Sequence, residues 1–115
     1  MKVRILHNPR CSKSRATLEL LHDRGIEPEI VPYLEQPPTR KELESILKML
    51  GMRPRALMRK GEAEYKQNGL DDATLSDDQL IDAMLRVPRL IERPIVIANG
   101  KAAIGRPPES VLAIL

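Results

Sequence analysis

The segment Pro94-Ile95-Val96-Ile97-Ala98, followed by Asn99-Gly100 and then Lys101-Ala102-Ala103-Ile104, constrains the fold of this chain more than any other stretch. Two β-prone runs joined by Asn-Gly form a β-hairpin, because the tight turn needs positive φ at both central residues and Asn and Gly accept it most readily. An antiparallel pair is therefore expected near the C-terminus. At the other end, Val3 to Leu6 reads as a buried strand. Ser12 to Arg24 reads as a helix with Thr17, Leu18, Leu20 and Leu21 on one apolar face, stopped by Gly25. Glu29 to Leu34 is a second short strand. Strands joined through a helix pair in parallel, and Pro32, with no N–H for a ladder, puts this second strand at a sheet edge.

The middle reads as helical. Thr39 with Glu42 forms a capping box, after which Leu43, Ile46, Leu47 and Leu50 fall on one face up to Gly51. Pro54 to Lys60 reads as a short helix. Ser76 with Gln79 caps a further one, in which Leu80, Ile81, Met84 and Leu85 face inward until Pro88. A last helix is expected from about Pro108 to Leu115. The order β-α-β, helices, β-β-α is that of an α/β, thioredoxin-like fold with a four-stranded mixed sheet. The expected organisation is one domain over residues 1–115, with a helical segment inserted at about residues 39–88.

At 115 residues the chain suffices for one core and not for two. With Tyr33 and Tyr65 as its only aromatics, that core must be built from Leu, Ile, Val, Met and Ala. The net charge of +3 is spread along the chain and comes with no nucleic-acid recognition motif, so no nucleic-acid partner is expected. No apolar run reaches the ~20 residues needed to cross a bilayer. The start Met1-Lys2-Val3-Arg4 has no signal-peptide core, and the expected location is cytoplasmic.

Cys11 is the only cysteine, which excludes an internal disulfide. It lies in His7-Asn8-Pro9-Arg10-Cys11-Ser12-Lys13-Ser14-Arg15, between the first strand and the first helix. A cysteine at a helix start faces unpaired N–H groups that favour thiolate over thiol, and Arg10, Lys13 and Arg15 add positive charge. The flanking Pro, Arg, Ser and Lys belong to an exposed turn rather than to a packed interior, so Cys11 reads as a reactive thiol. A helix end contributes only ~0.3–1 kcal/mol, so further cations are needed to ionise a thiol of ordinary pKa ~8.5 at neutral pH. Ser14 stands where a thioredoxin-type Cys-x-x-Cys has its second thiol, so any disulfide of Cys11 is intermolecular. Thr17 stands where a cysteine phosphatase loop has its arginine, which argues against phosphate-ester hydrolysis. One cysteine and two histidines without ligand spacing argue against a metal site, and His22, near a helix end, reads as a surface histidine.

Five segments together, His7-Asn8-Pro9-x-Cys11, Tyr33-Leu34-Glu35-x-Pro37, Arg55-Ala56-Leu57-x-Arg59-Lys60, Asp78-Gln79-Leu80-Ile81 and Arg93-Pro94-Ile95-Val96, resemble the glutaredoxin-linked arsenate reductase family. With Gly105-Arg106-Pro107-Pro108 the likeness is greatest to its short arsenate-reductase-like bacterial members. The resemblance implies that Cys11 is the nucleophile toward arsenate or a similar small oxyanion. It implies that Arg59, Arg93 and Arg106 hold the anion, and that Pro94 is the cis-proline facing the cysteine. Arg93 and Arg106 flank one hairpin and can share one end of the sheet, whereas Arg59 rests on the resemblance alone. Guanidinium suits an oxyanion because its planar fork donates two parallel hydrogen bonds. His7, with Asn8 and Ser14 beside it, either tunes the thiol or stabilises the loop. The resemblance further implies a monomer with no bound cofactor, glutathione as co-substrate and glutaredoxin as protein partner.

Two other readings share these residues. One is a non-enzymatic redox-sensing or partner-binding regulator of the same fold. The three arginines weigh toward the enzyme, and Ser14 removes a Cys-x-x-Cys switch. The other is a glutathione-dependent reductase of a different substrate, which sequence does not separate from the first.

Overall fold

Both halves of the Asn-Gly segment pair as strands, and they complete a sheet that begins at the N-terminus. The computed structural model describes residues 2–115. Strand β1 (Val3–Leu6) is followed by helix α1 (Ser12–Asp23) and strand β2 (Glu29–Val31), and the hairpin is β3 (Ile95–Ala98) and β4 (Lys101–Ile104). β1 pairs in parallel with β2, Leu6 opposite Val31, and antiparallel with β3, Leu6 opposite Ile95. β3 pairs antiparallel with β4, Ile95 opposite Ile104, through Asn99 at φ 56° and Gly100 at φ 71°. The order β2-β1-β3-β4 is the four-stranded mixed sheet of a thioredoxin-like α/β fold, with β2 at an edge as expected, although Pro32 lies just past its last residue.

The described chain falls into two compact units, one reaching Gln36 and resuming at Arg93, the other spanning Pro37–Glu92. In the first, the sheet residues Val3, Ile5, Val96 and Ala98 bury against Leu21 of α1 and against Val111 and Ile114. Alternation along β1 and β3 puts these four on one face, where the apolar stripe of α1 covers them. The closing segment Pro108–Ile114 winds as a 3-10 helix rather than the expected α-helix. It begins on Pro107-Pro108 with no side-chain cap and is only seven residues long, so little favours the wider helix. Strand β2 ends at Val31, not Leu34, because after Pro32 the chain turns, with the N–H groups of Glu35 and Gln36 both donating to the Pro32 carbonyl.

In the second unit, α2 (Arg40–Leu50) and α5 (Asp77–Arg86) each begin with a complete capping box, Thr39 with Glu42 and Ser76 with Gln79. Their buried residues, Leu43, Ile46 and Leu47 on one and Leu80, Ile81 and Met84 on the other, bring the two helices together. The helix expected over Pro54 to Lys60 is shorter: α3 is Pro54–Leu57. Beyond it the chain is extended, Met58 forming a bridge with Ile91 and the Arg59 N–H donating to the Leu90 carbonyl at 2.7 Å. Two elements have no counterpart in the sequence reading, α4 (Ala63–Gln67) and a 3-10 turn at Pro88–Leu90. Five residues are too few for a periodic signal, and α4 is held instead by Arg55, which donates to Tyr65 Oη and to the Leu70 carbonyl, both at 2.6 Å. Among the described residues no helix is long and apolar enough to cross a membrane.

Gly105, just past β4, fixes where that strand ends. A Cβ there would lie 2.8 Å from Pro94 Cγ and closer still to Thr17 Oγ1. Glycine lets α1, the start of β3 and the end of β4 meet backbone to side chain, and its N–H donates to the Pro94 carbonyl at 2.9 Å. Gly105→Ala should therefore destabilise the protein by about 1–3 kcal/mol, the usual cost of overpacking. A lowered midpoint in urea unfolding with an unchanged slope would show it, and a midpoint equal to wild type would refute the close contact.

Candidate active site

The end of β1 delivers His7-Asn8-Pro9-Arg10 into a tight turn, closed by the Cys11 N–H donating to the Asn8 carbonyl at 3.0 Å. Asn8 stabilises this turn again through its side chain, whose Oδ1 accepts the Arg10 N–H at 3.0 Å. Cys11 is the N-cap residue of α1, with extended backbone (φ −95°, ψ 123°), and its own carbonyl accepts the Arg15 N–H, starting the helix. Its side chain is nearly buried, 9% exposed. The sulfur thus faces the open N–H groups of the first helical turn.

Arg106 reaches this sulfur from the far end of the hairpin, with Nη1 3.8 Å from Cys11 Sγ. The same Nη1 donates to the Arg93 carbonyl at 3.3 Å, which joins the two candidate arginine segments. The Arg93–Pro94 and Arg106–Pro107 peptide bonds are both cis.

The electrostatics of the thiol oppose one another. Burial pushes its pKa up, but the N–H groups of Ser14 and Lys13, the positive charge of Arg93 and the Arg106 guanidinium together pull it below the ordinary thiol value. Of the cations adjacent in sequence, Arg15 is engaged elsewhere: its Nη1 donates to the Pro9 carbonyl at 2.9 Å and braces the turn from the helix side.

Behind the turn, His7 Nδ1 and Ser14 Oγ lie 2.6 Å apart, and Ser14 Oγ also accepts the Asn8 N–H at 3.0 Å. Both side chains are buried. Burial, and then the charge of Arg15, hold the His7 pKa below the ordinary imidazole value, so the ring is neutral at pH 7. A neutral imidazole hydrogen-bonded to a hydroxyl is a brace for the loop carrying Asn8. Ser14 in turn is fixed to the helix that carries Cys11.

His7, Asn8, Cys11, Ser14, Arg93, Pro94 and Arg106 all belong to the sheet unit. Arg59 belongs to the helical unit, where Nη2 pairs with Glu62 Oε1 at 2.6 Å and Nη1 donates to the Arg89 carbonyl at 3.4 Å. Thr17 is a supporting residue that the sequence reading did not assign to the site: it is fully buried, and its hydroxyl donates to the Lys13 carbonyl at 2.8 Å while packing on Gly105. A threonine in the apolar stripe of α1 carried the only available signal. Among the described residues no group of three or more His, Cys, Asp and Glu is placed to hold a metal ion.

Chemically, the arrangement is an activated nucleophile with guanidinium donors beside it and no second thiol in the chain. It can attack an electrophilic centre that carries negative oxygen, and it cannot release itself by an internal disulfide.

The model of the ArsC family matches residues 6–114 of the chain. In sequence the chain is 57% identical over 115 residues to the uncharacterized protein YfgD of Escherichia coli (strain K12), covering 99% of this chain and 97% of that one. It is 51% identical over 115 residues to the arsenate reductase of Neisseria meningitidis serogroup A, covering 99% and 98% respectively. In structure it superposes on an arsenate reductase from Vibrio cholerae with a TM-score of 0.97 at 53% identity, covering 100% of this chain and 98% of that one.

Titrating the ultraviolet absorbance of the thiolate against Cys11→Ser should give a pKa below about 8.5, and Arg106→Leu should raise it. An acidic thiol ionises in the folded state first, so folding gains stability as pH rises from the folded-state pKa toward the unfolded value, and loses it as pH falls through the folded-state pKa. Cys11→Ser should lack that rise. A thiol pKa at or above the ordinary value would contradict the site as described.

Proposed function

The chain belongs to the ArsC family, and from that premise we propose that it is an arsenate reductase in which Cys11 is the nucleophile and Arg59, Arg93 and Arg106 hold the oxyanion. The observation that carries this reading is the approach of the Arg106 guanidinium to the sulfur of a lone, acidified cysteine at a helix start. The assignment of Arg59 is supported by the family match in Arg55–Lys60, and that of Arg93 by its charge acting on the thiol.

In the first step the Cys11 thiolate forms a sulfur–arsenic bond as one arsenate oxygen leaves, after protonation, as water. Arginine donors stabilise the negative oxygens throughout, the largest kind of contribution a preorganised site makes. In the second, an external thiolate attacks Cys11 Sγ. The sulfur–arsenic bond breaks and its electron pair stays on arsenic, which falls from the pentavalent to the trivalent state and leaves as arsenite. A mixed disulfide remains on Cys11. In the third, a dithiol protein exchanges with that disulfide and returns Cys11 as thiolate. Two thiols supply the two electrons.

Glutathione is proposed as the external thiol and glutaredoxin as the dithiol protein. The proposal has the protein acting as a monomer in the cytoplasm, where these donors are kept reduced. His7, Asn8, Ser14 and Pro94 act through the placement of Cys11 and Arg93, with no bound cofactor.

Pure protein mixed with arsenate, glutathione and glutaredoxin should release arsenite, and Cys11→Ser should not. Intact-protein mass spectrometry should find one glutathione adduct, on Cys11, formed only when arsenate is present. Arg106→Ala and Arg93→Ala should each lower kcat/KM for arsenate by roughly 10²–10³-fold, as loss of one oxyanion donor does elsewhere. If arsenate changes neither the adduct yield nor the rate of glutathione oxidation, arsenate is not the substrate.

A further inference from the structure

The turn before Cys11 has a second side. A cleft of about 360 Å³ lies there, lined by Asn8, Pro9, Arg10, Pro32, Leu34 and Glu35. We propose that this cleft binds the amino-acid zwitterion of the small thiol that resolves Cys11, a reading that rests on the reductase function above.

Topology separates the cleft from the oxyanion donors. β1 lies between β2 and β3, so the turn at its end has β2 on one flank and the hairpin on the other. The His7 N–H, donating to the Val31 carbonyl at 3.0 Å, ties the turn to the β2 side, where the cleft opens. Arg93 and Arg106 come from the hairpin side. Arg10 of the cleft lining is the residue before Cys11, so a thiol seated there would lie beside the turn that carries the sulfur and leave the hairpin-side arginines to the anion.

The walls are preformed. Asn8 Oδ1 accepts the Arg10 N–H on one wall, and Pro32 O accepts the Glu35 and Gln36 N–H groups, at 3.0 and 2.9 Å, on the other. The volume is at the lower end of the ~300–1,000 Å³ usual for small-ligand pockets, fitting a peptide of a few residues and not a protein.

Charge selects the ligand. Arg10 and Glu35 are both exposed, and neither side chain has a hydrogen-bond or ion-pair partner among the described residues. By contrast, Arg15 and Arg59 are engaged with protein oxygens. A guanidinium and a carboxylate on one cleft complement a carboxylate and an ammonium on one ligand. Because Cys11 is the only cysteine, the ligand must also bring its own sulfur. An amino-acid thiol, either free cysteine or a γ-glutamyl peptide of it, has all three groups. Exposed charges bind weakly, so the expected affinity is on the order of millimolar.

S-methylglutathione, which has the zwitterion and cannot react, should shift the amide resonances of Asn8, Arg10, Leu34 and Glu35 in the wild-type protein. Arg10→Gln with Glu35→Gln should abolish those shifts. The same pair of substitutions should lower about tenfold the ratio of kcat/KM with glutathione to kcat/KM with 2-mercaptoethanol, which has no zwitterion. S-methylcysteine, run in parallel, tells which donor the cleft fits, the tripeptide if its shifts saturate at lower concentration and the free amino acid if the reverse holds. Shifts that fall elsewhere, or that persist in the double variant, overturn the proposal. If the cleft shifts appear while no thiol supports arsenate reduction by the wild type, the cleft stands and the reductase reading alone fails.

Discussion

The antiparallel register of β1 with β3 is the constraint on which the site depends. With Leu6 opposite Ile95, the residues just past the end of β1 and those just before the start of β3 emerge side by side. The first set is the turn ending in Cys11; the second is Arg93-Pro94. A slip of one residue would turn the side chains of one strand to the opposite face relative to the other, and Val3 and Ile5 would no longer share the cover of α1 with Val96 and Ala98. Packing of an aliphatic core thus determines the position of the reactive thiol relative to its cation. No special device at the site is needed for that alignment.

Elements whose signals are local were legible in the sequence. The Asn-Gly turn and the capping boxes at Thr39 and Ser76 each depend on residues a few positions apart, and each is present. Where a distant partner decides, the sequence was silent or misleading. Helix α3 stops at Leu57 because Met58 finds Ile91, and α4 exists because Arg55 reaches Tyr65 and Leu70. The closing segment, read as an α-helix, lacked the length and cap to resist the tighter winding.

The site shows the same division. Cys11 could be singled out by its neighbours, whereas Arg93 and Arg106 came from the family resemblance, and the hairpin they flank showed only that both can share one end of the sheet. That Arg106 approaches the sulfur, 95 positions away in the chain, follows from β4 ending at a residue small enough to pass Thr17 and Pro94. Nothing within a short window around Gly105 states this requirement. Arg15 illustrates the converse: adjacency suggested a charge acting on Cys11, whereas its guanidinium is anchored at Pro9 and its field falls on His7.

The packing of Gly105 between Thr17 and Pro94 has a kinetic side as well. It packs the first turns of α1, the start of β3 and the end of β4 directly against one another, so the backbone segments that carry the sulfur and the arginine approaching it are held together. In the proposed oxyanion site, the donors would already have lost their ordering entropy when the chain folded, which would leave little backbone reorganisation for the reacting step. A larger residue at 105 would loosen this packing, and its effect would be felt as slower chemistry rather than as weaker acidity of the thiol alone.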